Sequence, residues 1–282
     1  MRWTERAKRA DVSAISTASS SWLALRAAAD GASRSQVLAA ALAELLPAAP
    51  VELHDLGAGT GAMTRWLAPQ LPGPQRWVLH DGDAAIFEHL DLRSVVDDAG
   101  RPVLVDTTVE HLGLLPVGAF RGAAGVTASA LLDVLTRDEA ARIVDACVEA
   151  RAPALFSLSV TGQVTLDPPH PDDAAFGAAF NDHQRREADG RRMLGPEAVP
   201  VLGLRFAEAG WHVHREATPW RLGAADAELL VSWLEGWVGA AVEQRPELDG
   251  IADTYVRWRR SQAAEGTLHV EVGHEDVLAW PR

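Results

Sequence analysis

The sequence predicts an α/β protein in which a mostly parallel β-sheet carries helices on both faces. Three observations support this fold class. Apolar segments of strand length alternate with segments of helical periodicity, a glycine-rich turn joins the first strand to a helix, and 48% of the 282 residues are hydrophobic. A chain of this length and composition buries one large core, so we expect a single α/β domain with a helical cap.

The most informative segment begins at residue 51, where an apolar strand runs into glycines: Val-Glu-Leu-His-Asp-Leu-Gly-Ala-Gly-Thr-Gly. Gly57, Gly59 and Gly61 let the backbone turn sharply and approach a ligand more closely than side chains would permit. Helical spacing of apolar residues resumes directly afterwards, so the loop stands at a helix N-terminus with free N–H groups. Such a loop typically holds an adenine nucleoside or a phosphate.

Acidic residues near three strand ends help to define the ligand. Asp55 precedes the glycines, where a carboxylate meets a cationic amino group but repels a pyrophosphate. Asp81 ends a second apolar strand and is placed to accept hydrogen bonds from ribose hydroxyls. Asp106 and Thr107 follow a third strand at 102–105, where an adenine amino group is recognised. The glycines also satisfy the pattern G-x-G-x-x-G/A, so a dinucleotide remains an alternative at this point.

The segment Asp55-Leu-Gly-Ala-Gly-Thr-Gly61 fits the motif acid-x-G-x-G-x-G throughout, and here the chain resembles the class I S-adenosylmethionine-dependent methyltransferases. The resemblance implies a Rossmann-like, seven-stranded and mostly parallel sheet whose last strand is antiparallel. It implies S-adenosyl-L-methionine as cofactor and S-adenosyl-L-homocysteine as product. It also implies that the glycine loop approaches the methionine part, Asp81 the ribose and Asp106 the adenine. The expected cofactor-binding residues are Asp55, Gly57, Ala58, Gly59, Gly61, Asp81, Gly82, Asp106, Thr107, Thr127 and Ser129.

Composition narrows the partners and the compartment. The formal charge of −13 disfavours a protein that tracks a phosphate backbone, so no nucleic-acid partner is expected. Cys147 is the only cysteine, which rules out cysteine-based metal clusters, and no metal is expected. No segment has the roughly 18 uninterrupted apolar residues of a membrane span, and no secretory signal is apparent. We expect a cytoplasmic protein, and the arginine-rich, nearly lysine-free composition is typical of GC-rich bacterial coding sequences.

Helices and further strands are expected around the glycine loop. Residues 1–50 are interpreted as an N-terminal helical cap segment, in which Ser33-x-x-Gln36 is a capping box. Residues 51–282 are interpreted as the core, with Thr136-x-x-Glu139 as a second capping box after the fourth strand. Helical insertions at about 161–195 and 224–263 are expected to complete the cap. The later strands are expected to begin at Gly125 and to span 154–160, 211–218 and 267–280.

Candidates for the acceptor side come from the cap. His183 falls beside Phe176 and Phe180 on a helical stretch, and a histidine titrates near neutrality as a catalytic base should. A histidine on the surface of a lid is the alternative. Trp22 and Arg26 are candidates for the acceptor pocket, with simple packing against the core as the alternative.

Two charged features complete the candidate site. Asp133 follows the fourth strand, at the edge of the sheet where ligands of open α/β folds bind, and is either catalytic or part of a solvated helix entry. The densest basic cluster either grips an acidic acceptor or forms the solvated back of the lid. It consists of Arg185, Arg186, Arg191 and Arg192.

The sequence therefore predicts a methyltransferase that moves a methyl group from S-adenosylmethionine to oxygen or nitrogen of a small organic acceptor, by in-line displacement. Two alternatives stay open: an NAD(P)-dependent oxidoreductase, and a cofactor-binding protein of this fold without methyl-transfer activity. The oligomeric state, monomer or homodimer, is also open.

Overall fold

The computed structural model describes residues 19–47, 50–116, 118–188 and 190–282. The strands are β1 (Val51–Leu56), β2 (Gln75–Asp81), β3 (Leu104–Val109), β4 (Gly125–Ser129), β5 (Ala154–Asp167), β6 (Glu187–Ala188), β7 (Arg191–Arg192), β8 (His212–Ala217), β9 (Trp220–Leu222) and β10 (His269–Trp280). The α-helices are α1 (Ser20–Ser33), α2 (Gln36–Leu45), α3 (Ala62–Leu67), α4 (Arg137–Ala150), α5 (Asp173–Gln184), α6 (Ala198–Glu208), α7 (Ala227–Gln244) and α8 (Asp249–Ala264).

The main sheet has the strand order β3-β2-β1-β4-β5-β10-β8, and β9 pairs with β10 beside this path. Strands β1 to β5 run parallel to one another. Strand β10 is antiparallel to both β5 and β8, which confirms the expected antiparallel last strand. The short strand β9 makes the sheet eight-stranded rather than seven-stranded. This order departs from the dinucleotide-binding order 3-2-1-4-5-6, in which the final strand continues the parallel sheet.

Helices cover both faces of the sheet because alternate strand residues point to opposite sides. Leu56 of β1 packs with α4 and α6 on one face. Leu53, three residues earlier, packs with α2 and α3 on the other. The carboxyl ends of the parallel strands therefore open between two helical layers, which is where ligands of such sheets bind.

The cap has a hydrophobic core of its own, formed by α5, α7, α8 and β9. The rings of Phe176 and Tyr255 lie 4.6 Å apart between centroids, and Phe176 also contacts Trp237 at 6.0 Å. Trp22 on α1 packs against the edge of this core. The tryptophans of the cap therefore serve largely as core residues.

Three expected boundaries differ from the structure. Strand β3 spans 104–109 and not 102–105. Strand β5 continues to Asp167, so the insertion after 160 starts as strand, followed by α5 and the short β6–β7 hairpin. Helix α2 is capped by the side chain of Ser35 and not of Ser33, whose hydroxyl donates to the Pro219 carbonyl. The capping box of Thr136 and Glu139 is confirmed, with both reciprocal hydrogen bonds formed.

A buried ion pair fastens α8 to the start of α5. Arg259 is 0% exposed, and its guanidinium donates to both carboxylate oxygens of Asp173, at 2.6 and 2.7 Å. It also donates to the Pro168 carbonyl at 2.7 Å. Arg259 is fully buried and Asp173 is partly buried, so removing the arginine leaves a partly buried carboxylate without its counter-ion, which is destabilising.

Replacing Arg259 by Met should therefore destabilise the protein strongly. We expect the free energy of unfolding, measured by urea denaturation, to fall by about 3–5 kcal/mol because Asp173 loses its counter-ion. Arg257→Met, one exposed position on the same helix, is the matched control. Equal losses in the two variants would contradict a special role for the buried pair.

Candidate functional site

The glycine loop between β1 and α3 has a backbone that side chains would disturb. Gly57, Gly59 and Gly61 all have positive φ angles, of 60°, 54° and 76°. A Cβ atom on Gly57 would lie 2.8 Å from the Leu131 side chain, and one on Gly59 would lie 3.2 Å from Leu23. The loop is therefore covered closely by α1 and by the segment after β4, and only glycine fits both the conformation and the space.

Asp55 supports this loop from below. It is 0% exposed, and its carboxylate accepts hydrogen bonds from the hydroxyls of Thr127 at 2.8 Å and Thr64 at 3.1 Å. Burial raises the pKa of Asp55 to about 6, although both hydroxyls and the nearby Arg34 lower it in part. Asp55 is thus buried beneath the loop, and its direct contact with a ligand stays a prediction. Asp55 and the fully buried Thr127 join β1, β4 and α3 beneath the loop.

Asp81 lies at the end of β2, directly beside the glycine loop. It ends β2 half-buried, and its carboxylate accepts from the Gly59 amide at 2.9 Å and from the Asp83 amide at 3.0 Å. Each carboxylate oxygen retains a second lone pair for another donor. Gly82 follows it, exposed and with the His111 ring next to it.

Asp106 and Thr107 do not lie at the carboxyl end of the third strand. Asp106 pairs with Val78 in the middle of β2, and its carboxylate accepts from Arg76 at 2.7 Å on an exposed surface. The strand runs further than expected, so Val109 is the residue aligned with Asp81. The acid at this end is Glu110, whose amide donates to the Asp81 carbonyl at 3.0 Å.

Two stacked histidines lie under the same edge of the sheet. The rings of His54 and His80 are 5.0 Å apart between centroids, and a hydrogen bond of 2.9 Å joins Nδ1 of His54 to Nε2 of His80. The carboxylate of Glu110 binds the other nitrogen of His80. Desolvation lowers the pKa of both histidines. They form a neutral pair that fastens β1, β2 and the segment after β3 together.

A polar cluster under the cap faces α1, and most of its members were missed in the sequence. Asp30 accepts from Nε of Arg26 at 2.9 Å and from the Trp220 indole at 3.1 Å. The Arg26 guanidinium stacks over the Trp220 ring at 4.8 Å, and the ring of Trp22 lies 6.5 Å from it. His274 lies 5.2 Å from Trp220, and burial together with Arg26 lowers its pKa to about 4.

Arg34 lies between α1 and α2 and is a buried cation whose guanidinium group lacks part of its hydrogen bonds. It is 4% exposed and donates through one terminal nitrogen to the Ser129 hydroxyl at 3.0 Å, at the carboxyl end of β4. Its Nε is buried without a hydrogen-bond partner among the described residues. Desolvation lowers its pKa, and Asp30, Asp276 and Asp55 oppose that shift. Nothing in the local sequence pattern distinguishes this arginine from the exposed ones.

Asp133 lies two residues beyond Leu131, the residue that covers Gly57. It is half-buried, and burial raises the pKa of its carboxyl group to about 6, against the lowering effects of its own backbone amide and of Arg26. No side chain of another described residue donates a hydrogen bond to it. Asp133 thus lies close to the glycine loop, and its surroundings stabilise the negative charge of its carboxylate only weakly.

His183 and the two phenylalanines beside it have structural surroundings. Nε2 of His183 lies 3.3 Å from a Glu243 carboxylate oxygen, and Nδ1 lies 3.0 Å from the Arg186 guanidinium. Desolvation, then Arg186, lowers its pKa. Phe176 is 0% exposed within the cap core, and Phe180 packs against that core. Both imidazole nitrogens of His183 therefore have partners within the cap, and a catalytic His183 in a pocket lined by Phe176 and Phe180 stays a prediction.

Sequence comparison adds little to this geometry. No family model matches the chain, and no curated protein matches it either. A candidate type II methyltransferase from Anaeromyxobacter dehalogenans has a similar structure, with a TM-score of 0.50 and 16% identity over 88% of this chain and 98% of that one. Together with the sheet order and the antiparallel β10, this decides the fold. The chain has the class I methyltransferase fold.

Two further structures with the methyltransferase fold show lower scores. An S-adenosylmethionine-dependent methyltransferase from Geobacter sulfurreducens, solved with S-adenosyl-L-homocysteine, gives a TM-score of 0.40 and 13% identity over 100% of this chain and 99% of that one. A cyclopropane synthase from Mycobacterium tuberculosis gives 0.45 and 15%, over 86% and 81%. No described helix combines the length and the apolar composition needed to cross a bilayer.

Replacing Asp55 by Asn should remove one source of pH-dependent stability. The pKa of this carboxyl group is about 6 in the folded protein against an ordinary value of 3.8, so the folded state holds the proton more tightly. The resulting stabilisation is complete below pH 3.8 and is lost as the pH rises through 6, a change of about 3 kcal/mol. Wild type loses this stabilisation between roughly pH 4 and pH 8, whereas Asp55→Asn has no such carboxyl group. We therefore expect the free energy of unfolding of Asp55→Asn minus that of wild type to rise by about that amount over this range.

Urea denaturation across this pH range measures the difference, and Asp98→Asn, at an exposed carboxylate, is the matched control for loss of one charge. A difference between Asp55→Asn and wild type that does not vary with pH would contradict the assignment.

Proposed function

We propose that the protein binds S-adenosyl-L-methionine in the crevice between the glycine loop and α1, and transfers its methyl group to oxygen or nitrogen of a small organic acceptor. The observation that carries this proposal is the glycine loop itself. Its left-handed backbone is tied to the Asp81 carboxylate through the Gly59 amide, within a sheet of methyltransferase order.

The described residues fit this cofactor at three points. The three glycines of the loop carry no Cβ atom and have left-handed backbone angles, so a flat or extended ligand part can approach the backbone of the loop closely. Asp81 ends β2 with lone pairs available for two ribose hydroxyls. Arg34 has an unpartnered Nε beside Ser129, and we infer that this guanidinium holds the carboxylate of the methionine part.

The cofactor, when bound, supplies a methyl group on a sulfonium, which is already activated for displacement. The chain therefore has to orient the acceptor, exclude water and, for a protonated acceptor atom, remove a proton. Helix α1 excludes water by covering the loop through Leu23. We infer that Arg26 forms part of the wall against which the acceptor lies, because its guanidinium, stacked over the buried Trp220 ring, lies between α1 and the cap.

Asp133 is the base that the geometry favours. It stands in the segment that covers Gly57, and no other described side chain occupies its carboxylate by hydrogen bonding. Because its pKa is raised to about 6, it is largely ionised at neutral pH and still accepts a proton more readily than an exposed carboxylate. The small acceptor, like the cytoplasmic location, is part of the proposal.

Cofactor binding is tested by titration calorimetry with S-adenosyl-L-homocysteine and, separately, with NAD. We expect S-adenosyl-L-homocysteine alone to bind, and Asp81→Asn to weaken it by about 1.5–3 kcal/mol because a charged acceptor is lost. Asp83→Asn is the matched control, because among the described residues the Asp83 carboxylate accepts from the nearby Ala85 amide alone. Binding of NAD without a response to S-adenosyl-L-homocysteine would falsify the proposal and favour the oxidoreductase alternative.

The role of Asp133 is tested once a screen of small phenols, carboxylic acids and amines, followed by homocysteine release, has identified an acceptor. The wild-type rate should rise through a pKa near 6 as Asp133 loses its proton, and Asp133→Asn should lower kcat by about 10²–10⁴-fold. Affinity for S-adenosyl-L-homocysteine should stay unchanged in this variant. A full rate in Asp133→Asn would mean that solvent, and not Asp133, removes the proton. A loss of cofactor affinity in this variant would instead assign Asp133 to the cofactor site.

A further inference from the structure

A second concave site lies beside the cap, at the start of α4. A cavity of about 280 Å³ is enclosed by the first residue of α4, the end of α5 and the segment that follows β7. Its lining consists of Arg137, Arg185, Arg192, Met193, Leu194 and Glu197. None of these residues takes part in the proposed methyl-transfer site.

The arginines around this cavity differ in how they are engaged. Arg191 donates to the Glu139 carboxylate at 2.7 Å, and Arg186 binds His183, so these two serve the structure. In contrast, no hydrogen bond or ion pair engages the Arg137 and Arg192 guanidinium groups within the described residues. Arg186 and Arg191, two members of the basic cluster seen in the sequence, therefore have structural contacts. Arg192 of the same cluster has no such contact within the described residues, and Arg137 of α4 lines the same cavity.

The charge of the lining is positive in a chain whose formal charge is −13. The lining contains three arginines and one carboxylate, that of Glu197. Arg185 is partly neutralised, since it shares the Asp182 carboxylate with Arg245. Unpaired guanidinium groups at close quarters repel one another, and an oxyanion that accepts from both relieves the repulsion.

The floor of the cavity is apolar and fixed. Met193 and Leu194 are each 5% exposed. The Leu194 amide donates to the Leu135 carbonyl at 2.9 Å, and Met193 bridges to Thr136, so this floor is attached to the segment that begins α4. The cavity therefore offers guanidinium donors at its rim and hydrocarbon beneath them.

We propose that this cavity binds a small phosphate monoester whose organic part lies on Met193 and Leu194. The dianion of such an ester is attracted to the two arginines that have no partner among the described residues, and its oxygens accept from Arg137 and Arg192 in the bidentate geometry that guanidinium groups favour. The volume exceeds the need of a bare phosphate and leaves room for a ring or a short chain. This proposal is independent of the methyl-transfer activity.

Titration calorimetry with phenyl phosphate tests the proposal, with inorganic phosphate and phenol as the two partial probes. We expect saturable binding of phenyl phosphate, weaker binding of inorganic phosphate because the floor stays uncovered, and no saturable binding of phenol. The double variant Arg137→Gln/Arg192→Gln should lower the affinity for phenyl phosphate at least about tenfold. Arg142→Gln, an exposed position on the same helix, is the matched control and should bind as wild type.

Three outcomes would overturn the proposal: no saturable binding of phenyl phosphate, equal loss in the control variant, or equal affinity for phenol. A further titration uses the Asp81→Asn variant, which should bind phenyl phosphate as tightly as wild type does. Loss in that variant would place the ester in the cofactor crevice and would also overturn the proposal. The melting temperature of each variant without ligand checks that it is folded. Because both substituted arginines are exposed, we expect the melting temperature of the double variant to stay within a few degrees of the wild-type value.

Discussion

The burial of the Asp55 carboxylate is the constraint on which the candidate site depends. The three glycines of the loop have no side chains with which to fix their own conformation, so the loop takes its position from what lies below and above it. Below, Asp55 ties β1 to β4 through Thr127 and to α3 through Thr64. A buried carboxylate without such donors is unfavourable, and the hydroxyls therefore bring the strands and the helix to fixed positions around it.

Arg34 and Asp276 continue this arrangement toward the cap. Asp276 is 0% exposed and accepts from the Ser35 and Leu158 amides and from the Thr218 hydroxyl. It thereby joins the start of α2, the middle of β5 and the turn before β9 to the antiparallel strand β10. Arg34 lies within the field of Asp276, Asp30 and Asp55, so one buried cation interacts with three buried acids. The antiparallel strand thus provides an acid at the point where the cap meets the sheet.

The sequence predicted the parts of the fold that rest on local patterns. The glycine loop, the capping box of Thr136 and Glu139 and the apolar strands are each defined by neighbours in the chain, and the antiparallel last strand followed from the resemblance. The predicted end of β3 was wrong, because no turn residue follows Asp106 and the strand continues through Thr107 to Val109. The acid at the carboxyl end of this strand is therefore Glu110 and not Asp106.

Contacts between distant segments could not be predicted from the sequence. Trp220 meets Asp30 across 190 positions of the chain, and Arg34 meets Ser129 across 95. No spacing or periodicity links such pairs, since only the packing of α1 over the sheet brings them together. For His183 the helical neighbours followed from the spacing, but its contacts with Glu243, 60 positions away, could not be predicted from the sequence.

The structure also changes where acceptor specificity is expected to reside. The two insertions looked suited to line a pocket, yet Phe176, Trp237 and Tyr255 are almost fully buried against one another, so these segments mainly build a core. The groups left with unusual charge environments come from other elements: Arg26 from α1, Asp133 from the segment after β4, and His274 from β10. Because Arg26 lowers the pKa of both Asp133 and His274, these groups share one electrostatic environment. An acceptor bound there would meet residues of α1 and of the sheet, while the insertions determine how firmly α1 is held over it.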